Sequence, residues 1–247
     1  MPSLFLKQKQ GFSLIELLIA ISLTTAILAL LVQCFLACQS NYRVFQAQLE
    51  SFYDTHLVSV LLQNSLKKAG YTPCGNIEYL KFIKENNSQL TNCKAVVIKP
   101  NFLQIRRMNE VNYTINQIFS RDKVLINQRW THPLTHPVLL ADCYQAIKRF
   151  IVHVKHTNVG SILTLNQPIP ALFSHPKFIG EWLDETFVIR PDTHKKPTLF
   201  YHLLKAEALT SSIHTLSATF DRPQKQITVT LLTDSKPIQF MVRIRNL

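Results

Sequence analysis

The sequence predicts an α+β fold in which one long N-terminal helix precedes an antiparallel β domain. Two observations predict it. No glycine lies between Gly11 and Gly70 and no proline between Pro2 and Pro73, so nothing breaks a helix from about Phe12 to Ala69, roughly 85–90 Å at 1.5 Å per residue. From Ile77 onward apolar residues alternate in short runs separated by prolines, asparagines and charged turns, the pattern of half-buried strands.

The first half of the helix is apolar enough to cross a bilayer. Between Phe12 and Cys38 the only charge is Glu16, and the other polar side chains are Ser13, Ser22, Thr24, Thr25 and Gln33. A helix carries such hydroxyls in lipid by bonding them to its own backbone. A carboxylate there costs roughly 2.5–3.5 kcal/mol and usually marks a function. Lys7 and Lys9 precede the span and only Arg43 follows it closely, which predicts a cytoplasmic N-terminus.

Beyond the span, Tyr42, Phe45, Leu49, Phe52, His56 and Val60 recur three or four apart, with Leu57 and Leu61 widening the stripe. This spacing predicts a helical face buried against the following sheet. Lys67 and Lys68 suit the negative end of the helix dipole, and Gly70 suits the left-handed position that ends a helix.

Strands are expected at Val96/Ile98, Leu103/Ile105, Ile151/Val154, Ile162/Leu165 and Phe187/Ile189. The clearest three runs are Leu216/Ala218/Phe220, Ile227/Val229/Leu231 and Ile238/Phe240/Val242/Ile244. Short polar turns join these last runs, so they form an antiparallel meander. Thr131 to Pro137 and Leu165 to Lys177 read as proline-rich loops.

At 247 residues the chain accommodates a membrane helix and one globular domain of ordinary size. Its net charge is +12, nearly all of it after the span, which fits either a solvated basic surface or an anionic partner. Cys34 and Cys38 fall in the span, leaving Cys74, Cys93 and Cys143 to form one disulfide in an oxidising compartment. The short Cys74 to Cys93 loop favours that pairing slightly over Cys74 to Cys143.

The nine histidines form no metal-ligand pattern. His132 and His136 are each followed by proline, which argues against one helical face, and His153 and His156 point to opposite faces of a strand. No phosphate loop, nucleophile elbow or zinc-protease motif occurs, so neither catalytic residues, cofactor nor metal is expected. Candidate nucleic-acid patches are Arg106 with Arg107, Lys148-Arg149-Phe150 with Lys155, and Arg243 with Arg245. DNA contact is allowed for but not favoured.

The residues Gly11-Phe12-Ser13-Leu14-Ile15-Glu16, behind a leader carrying Lys7 and Lys9, resemble the prepilin signal of type IV pilins and secretion pseudopilins. The resemblance implies cleavage by prepilin peptidase between Gly11 and Phe12, N-methylation of Phe12, and an assembly role for Glu16. The apolar segment is then retained, unlike an ordinary secretory signal. A lipoprotein-type cut before Cys38, after Phe35-Leu36-Ala37, and a plain uncleaved anchor are the blander readings; Glu16, four residues after Phe12, stands against both.

Weaker likenesses run through the rest of the chain. Leu66-Lys67-Lys68-Ala69-Gly70-Tyr71-Thr72-Pro73-Cys74, Ala141-Asp142-Cys143 before Phe150-Ile151-Val152, and Leu199-Phe200-Tyr201 with Ala208-Leu209-Thr210, Ile213 and Leu216 are similar to the PilW family of minor pilins. This implies a type IV pilin-like fold: leader 1–11, transmembrane and assembly half-helix 12–38, extracytoplasmic half-helix 39–70 and periplasmic β domain 71–247. It also implies an inner-membrane subunit that joins a priming or tip complex of the pilus. Its partners would be prepilin peptidase, other minor pilins, the major pilin, the assembly platform and the membrane. A minor pseudopilin of a type II secretion system and a DNA-binding subunit in DNA uptake are the alternatives.

Overall fold

The computed structural model describes residues 13–83, 90–173, 175–233 and 236–246. Its helix α1 spans Leu14–Lys67. The strands that follow are β1 Tyr71–Thr72, β2 Gly75–Asn76, β3 Lys81–Ile83, β4 Leu90–Asn92, β5 Val96–Lys99 and β6 Phe102–Ser120. Next come β7 Lys123–Ile126, β8 Pro137–Ala141, β9 Gln145–Thr157, β10 Gly160–Leu165 and β11 Phe178–Pro191. The chain ends with β12 Pro197–His202, β13 Ala206–Thr210, β14 Ile213–Asp221, β15 Gln226–Thr233 and β16 Ile238–Arg243. This is the expected α+β, pilin-like class. Two compact units divide it, Met1–Tyr53 and Asp54–Leu247.

In the second unit, eleven strands join in one sheet with β6 and β11 as its long central pair. Its pairings are antiparallel except for β3 beside β9. The expected meander is present as a separate three-stranded sheet, β14-β15-β16. The last three turns of α1 lay Val58, Leu62 and Leu66 into one core with Leu103 and Ile105 of β6, Phe187 of β11 and Leu216, Val229 and Val242 of the meander. Burying apolar area between a helix stripe and sheet faces is the main stabilising term.

The helix ends where the sequence said it would, for a reason that involves the sheet. Gly70 adopts φ +71°, and its N–H donates to the Arg106 carbonyl at 2.9 Å. A Cβ there would lie 3.0 Å from both Ala95 Cβ and Asn76 Oδ1, so glycine serves both the left-handed backbone and the close approach.

The face of α1 that packs is not the one its apolar spacing predicts. Thr55, Val58, Ser59, Leu62, Ser65 and Leu66 are buried, whereas Tyr42, Phe45, Leu49, Phe52, Leu57 and Val60 are exposed and so is His56; of the expected stripe, Leu61 is half-buried and packs against the core. Three small hydroxyl residues line the buried face because their polar atoms find partners: Ser59 Oγ donates to the Thr55 carbonyl at 2.8 Å, and Ser65 Oγ donates to the buried Glu185 carboxylate. Small, satisfied side chains let the helix approach the sheet closely.

Candidate functional site: the apolar half-helix and the groups around the β domain

Gly11 and Phe12, the expected cleavage and methylation positions, lie outside the described residues. The chain picks up at Ser13, whose N–H donates to Glu16 Oε2 at 3.1 Å, half of the reciprocal arrangement of a capping box. Glu16 also places negative charge in the first turn of α1, where the helix dipole favours it. In the isolated chain its carboxylate therefore serves its own helix.

Beyond Glu16 the surface of the half-helix is apolar on every side, with Leu18, Ile19, Leu23, Leu30 and Phe35 all exposed. Its hydroxyls turn inward along the backbone: Ser22 donates to Ile19 O, Thr24 to Ala20 O and Thr25 to Ser22 O, each at 2.9 Å. A helix of this length and composition can cross a membrane. Past Cys38, Tyr42, Phe45, Leu49 and Phe52 keep exposing large apolar surface, more than a stable monomer in water normally leaves open.

The disulfide joins Cys74 to Cys143, with Cα atoms 4.9 Å apart. The preference for Cys93 is thus corrected: the adjacent hairpin β1-β2, held by Thr72 Oγ1 donating to Gly75 O at 2.9 Å, turns Cys74 toward the β8-β9 turn. There Asp142 Oδ1 accepts from the Tyr144 and Gln145 N–H groups at 2.9 and 2.6 Å and holds Cys143 at φ +79°. Sequence separation alone does not carry this three-dimensional neighbourhood. Cys93 keeps a free thiol. Burial raises its pKa, outweighing the nearby Arg106 guanidinium that favours the thiolate.

Two of the three basic patches dissolve. Arg106 pairs with Asp184 at 3.5 Å and donates to Gln104 Oε1 at 3.0 Å, while Arg107 grips the buried Glu185 through Nη2 at 2.7 Å and Nε at 3.0 Å. Arg149 is buried, donating to the carbonyls of Lys148 and Pro168, and leaves Lys148, Phe150 and Lys155 without it on the surface. Arg243 and Arg245 are exposed and alternate with buried Val242 and Ile244 as expected.

The histidines hold one surprise. His132 and His136 lie on the loop between β7 and β8, and both turn Nδ1 to the carboxylate of Glu181. A register shift between Gly180 and Trp182 creates a bulge at Glu181, and such a bulge re-aims its side chain. His153 and His156 sit across from Thr164 and Ser161 respectively, on opposite faces as their spacing requires.

Compared with known proteins, residues 6–32 match the family model described as the prokaryotic N-terminal methylation motif. No curated protein and no solved structure matches the chain. The match and the long apolar helix together support a type IV pilin-like or pseudopilin role, with processing by prepilin peptidase, in a membrane-anchored single-pass protein.

Proposed function

We propose that the chain is a minor pilin that takes part in type IV pilus assembly, in a priming or tip complex with other minor pilins. Prepilin peptidase cuts after Gly11 and methylates Phe12; the N-terminus stays on the cytoplasmic side and the β domain lies in the periplasm. The reading is carried by the methylation-motif match over residues 6–32, lying on an apolar half-helix in which Glu16 is the only charge between Phe12 and Cys38. A leader followed by a retained apolar helix supplies both a membrane store and an association surface.

The exposed aromatic residues beyond the span favour assembly over a lone anchor. An anchor needs only its intramembrane surface to be apolar, yet Tyr42, Phe45 and Phe52 also stand open. Helices of neighbouring subunits would cover them, and the chain's own role is then structural and not catalytic. Deletion of the protein tests this: loss of surface pili with normal secretion supports the proposal. Retention of exoproteins in the periplasm with normal piliation would assign the chain to a secretion pseudopilus instead.

A further inference from the structure

The β domain carries a concave basic strip of which the sequence patches mark only Arg245. Its larger part is a groove of about 430 Å³. It is lined by Val96 and Ile98 of β5, by Glu78, Tyr79 and Lys94, by Phe220 near the end of β14, and by Arg222 and Lys225 of the β14-β15 turn. Tyr79 is 77% exposed and Phe220 37%, so two aromatic rings stand open beside three cations.

The turn that presents two of those cations is pinned. Lys225 adopts φ +53°, its N–H donates to Arg222 O at 3.2 Å, and its carbonyl accepts from Ile244 N–H at 2.9 Å. Across the Gly70 and Asn246 backbones lies a second groove of about 320 Å³ that adds Lys67 and Arg245.

Charge along the strip is unbalanced. Lys67, Lys94, Arg222, Lys225 and Arg245 form no ion pair with another described residue. Of the carboxylates beside them, Glu110 pairs with Lys68 at 2.8 Å, whereas Glu78 and Asp221 accept only from the backbone N–H groups of Ala95 at 2.9 Å and Gln224 at 3.4 Å, so five unpaired cations face two carboxylates without a cation partner. We propose that this strip binds single-stranded nucleic acid, the cations taking successive phosphates and the exposed rings of Tyr79 and Phe220 stacking on bases.

Three physical points favour that occupant. A polyanion matches a strip on which five unpaired cations outnumber the two carboxylates beside them. Open ring faces beside a cationic track form a stacking platform, which a base fills and an acidic peptide does not need. A single strand bends readily along such a track, whereas a duplex resists bending over lengths of about 150 base pairs.

The test uses the full chain in a detergent with uncharged headgroups, a fluorescent twenty-nucleotide oligothymidine and a duplex of equal length, followed by anisotropy at several salt concentrations. The single strand is expected to bind more tightly than the duplex, with affinity falling as salt rises. Arg222→Gln with Lys225→Gln should weaken it about tenfold and lower the salt slope by about 1.4, for two phosphates lost. Tyr79→Ala should weaken it about fivefold or more with the salt slope unchanged, the signature of stacking. Lys195→Gln with Lys196→Gln, on the exposed turn before β12, should change nothing.

Equal affinity for duplex, equal loss from the Lys195/Lys196 variant, or no binding at low salt would overturn the proposal. So would displacement by polyglutamate at equal charge together with an unaffected Tyr79→Ala, which would assign the strip to an acidic polypeptide. Both variant sites are at the surface, and retention of the Cys74–Cys143 disulfide and of the parental thermal transition verifies the fold.

Discussion

His132 presents Nδ1 to Oε2 of the buried Glu181 at 3.3 Å, while its other ring nitrogen lies 3.0 Å from the Val111 carbonyl. The carbonyl only accepts, so Nε2 carries a hydrogen. Nδ1 and a carboxylate oxygen then face each other as two acceptors unless a proton lies between them. Asn109 Nδ2 donates to the same Oε2 at 2.7 Å. Glu181 thus already accepts from Asn109 and faces His132 when His136 approaches its other oxygen.

This order of engagement fixes the sign of a pH effect. Burial, then repulsion from His132, hold the His136 imidazole below the ordinary histidine value. The folded chain binds this proton less readily than the unfolded chain does, so the contribution is present above about pH 6.5 and is lost as pH falls through the depressed value. The thermal midpoint should drop between pH 7.5 and 5, by roughly 2–4 °C for each kcal/mol lost. His136→Gln should flatten that slope, and a midpoint that rises on acidification would reverse the assignment.

The disulfide links the hairpin after α1 to the β8-β9 turn across a sequence separation of 69. In the chain-entropy account, closing such a loop stabilises by about 4 kcal/mol. Cys74→Ser with Cys143→Ser should cost most of that in denaturant unfolding, whereas Cys93→Ser should cost little. Peptide mapping without reductant checks the pairing, and a Cys74 to Cys93 linkage would contradict it.

A different bond ties α1 to the sheet. Glu185, 2% exposed, receives both Arg107 and Ser65, so removing the cation strands a buried carboxylate. Arg107→Met is expected to destabilise the β domain by about 3–5 kcal/mol. Converting Glu185→Gln in the same chain should recover much of the loss, because the uncompensated charge is then gone. Equal stability of parent and Arg107→Met would show the pair to be energetically idle.

Local order was legible where one rule acted alone. Gly70, the meander from Leu216 to Val242 and the proline-rich loops followed from backbone chemistry and strict alternation. The packing face of α1 was not, because Thr55, Ser59 and Ser65 read as polar and are buried only through partners distant or internal to the helix. Strand β6 was seen only at Leu103 and Ile105, although Val111, Tyr113 and Ile115 alternate with Asn112 and Thr114 farther along it. The Glu181 cluster, and the basic strip apart from Arg245, were hidden for a shared reason. Their members come from elements far apart in sequence, brought together by sheet register and by one bulge.

Glu16 is where self-capping and assembly can be separated. In the isolated chain its carboxylate accepts from Ser13 N–H at 3.1 Å, so an alanine would remove a cap as well as a charge. Glutamine keeps an acceptor for that N–H, since a capping box takes either residue, and deletes only the charge. In an apolar medium the charge is what a neighbouring subunit's Phe12 amine would seek, because a lone ion there is penalised and a close pair is strengthened. Glu16→Gln is expected to be inserted and cut after Gly11, to support few or no pili, and to recover partner subunits poorly. Glu16→Ala should add fraying of the first helical turn to the same defect. Parental piliation and partner recovery with Glu16→Gln, beside a defect confined to Glu16→Ala, would leave the cap as the residue's only role.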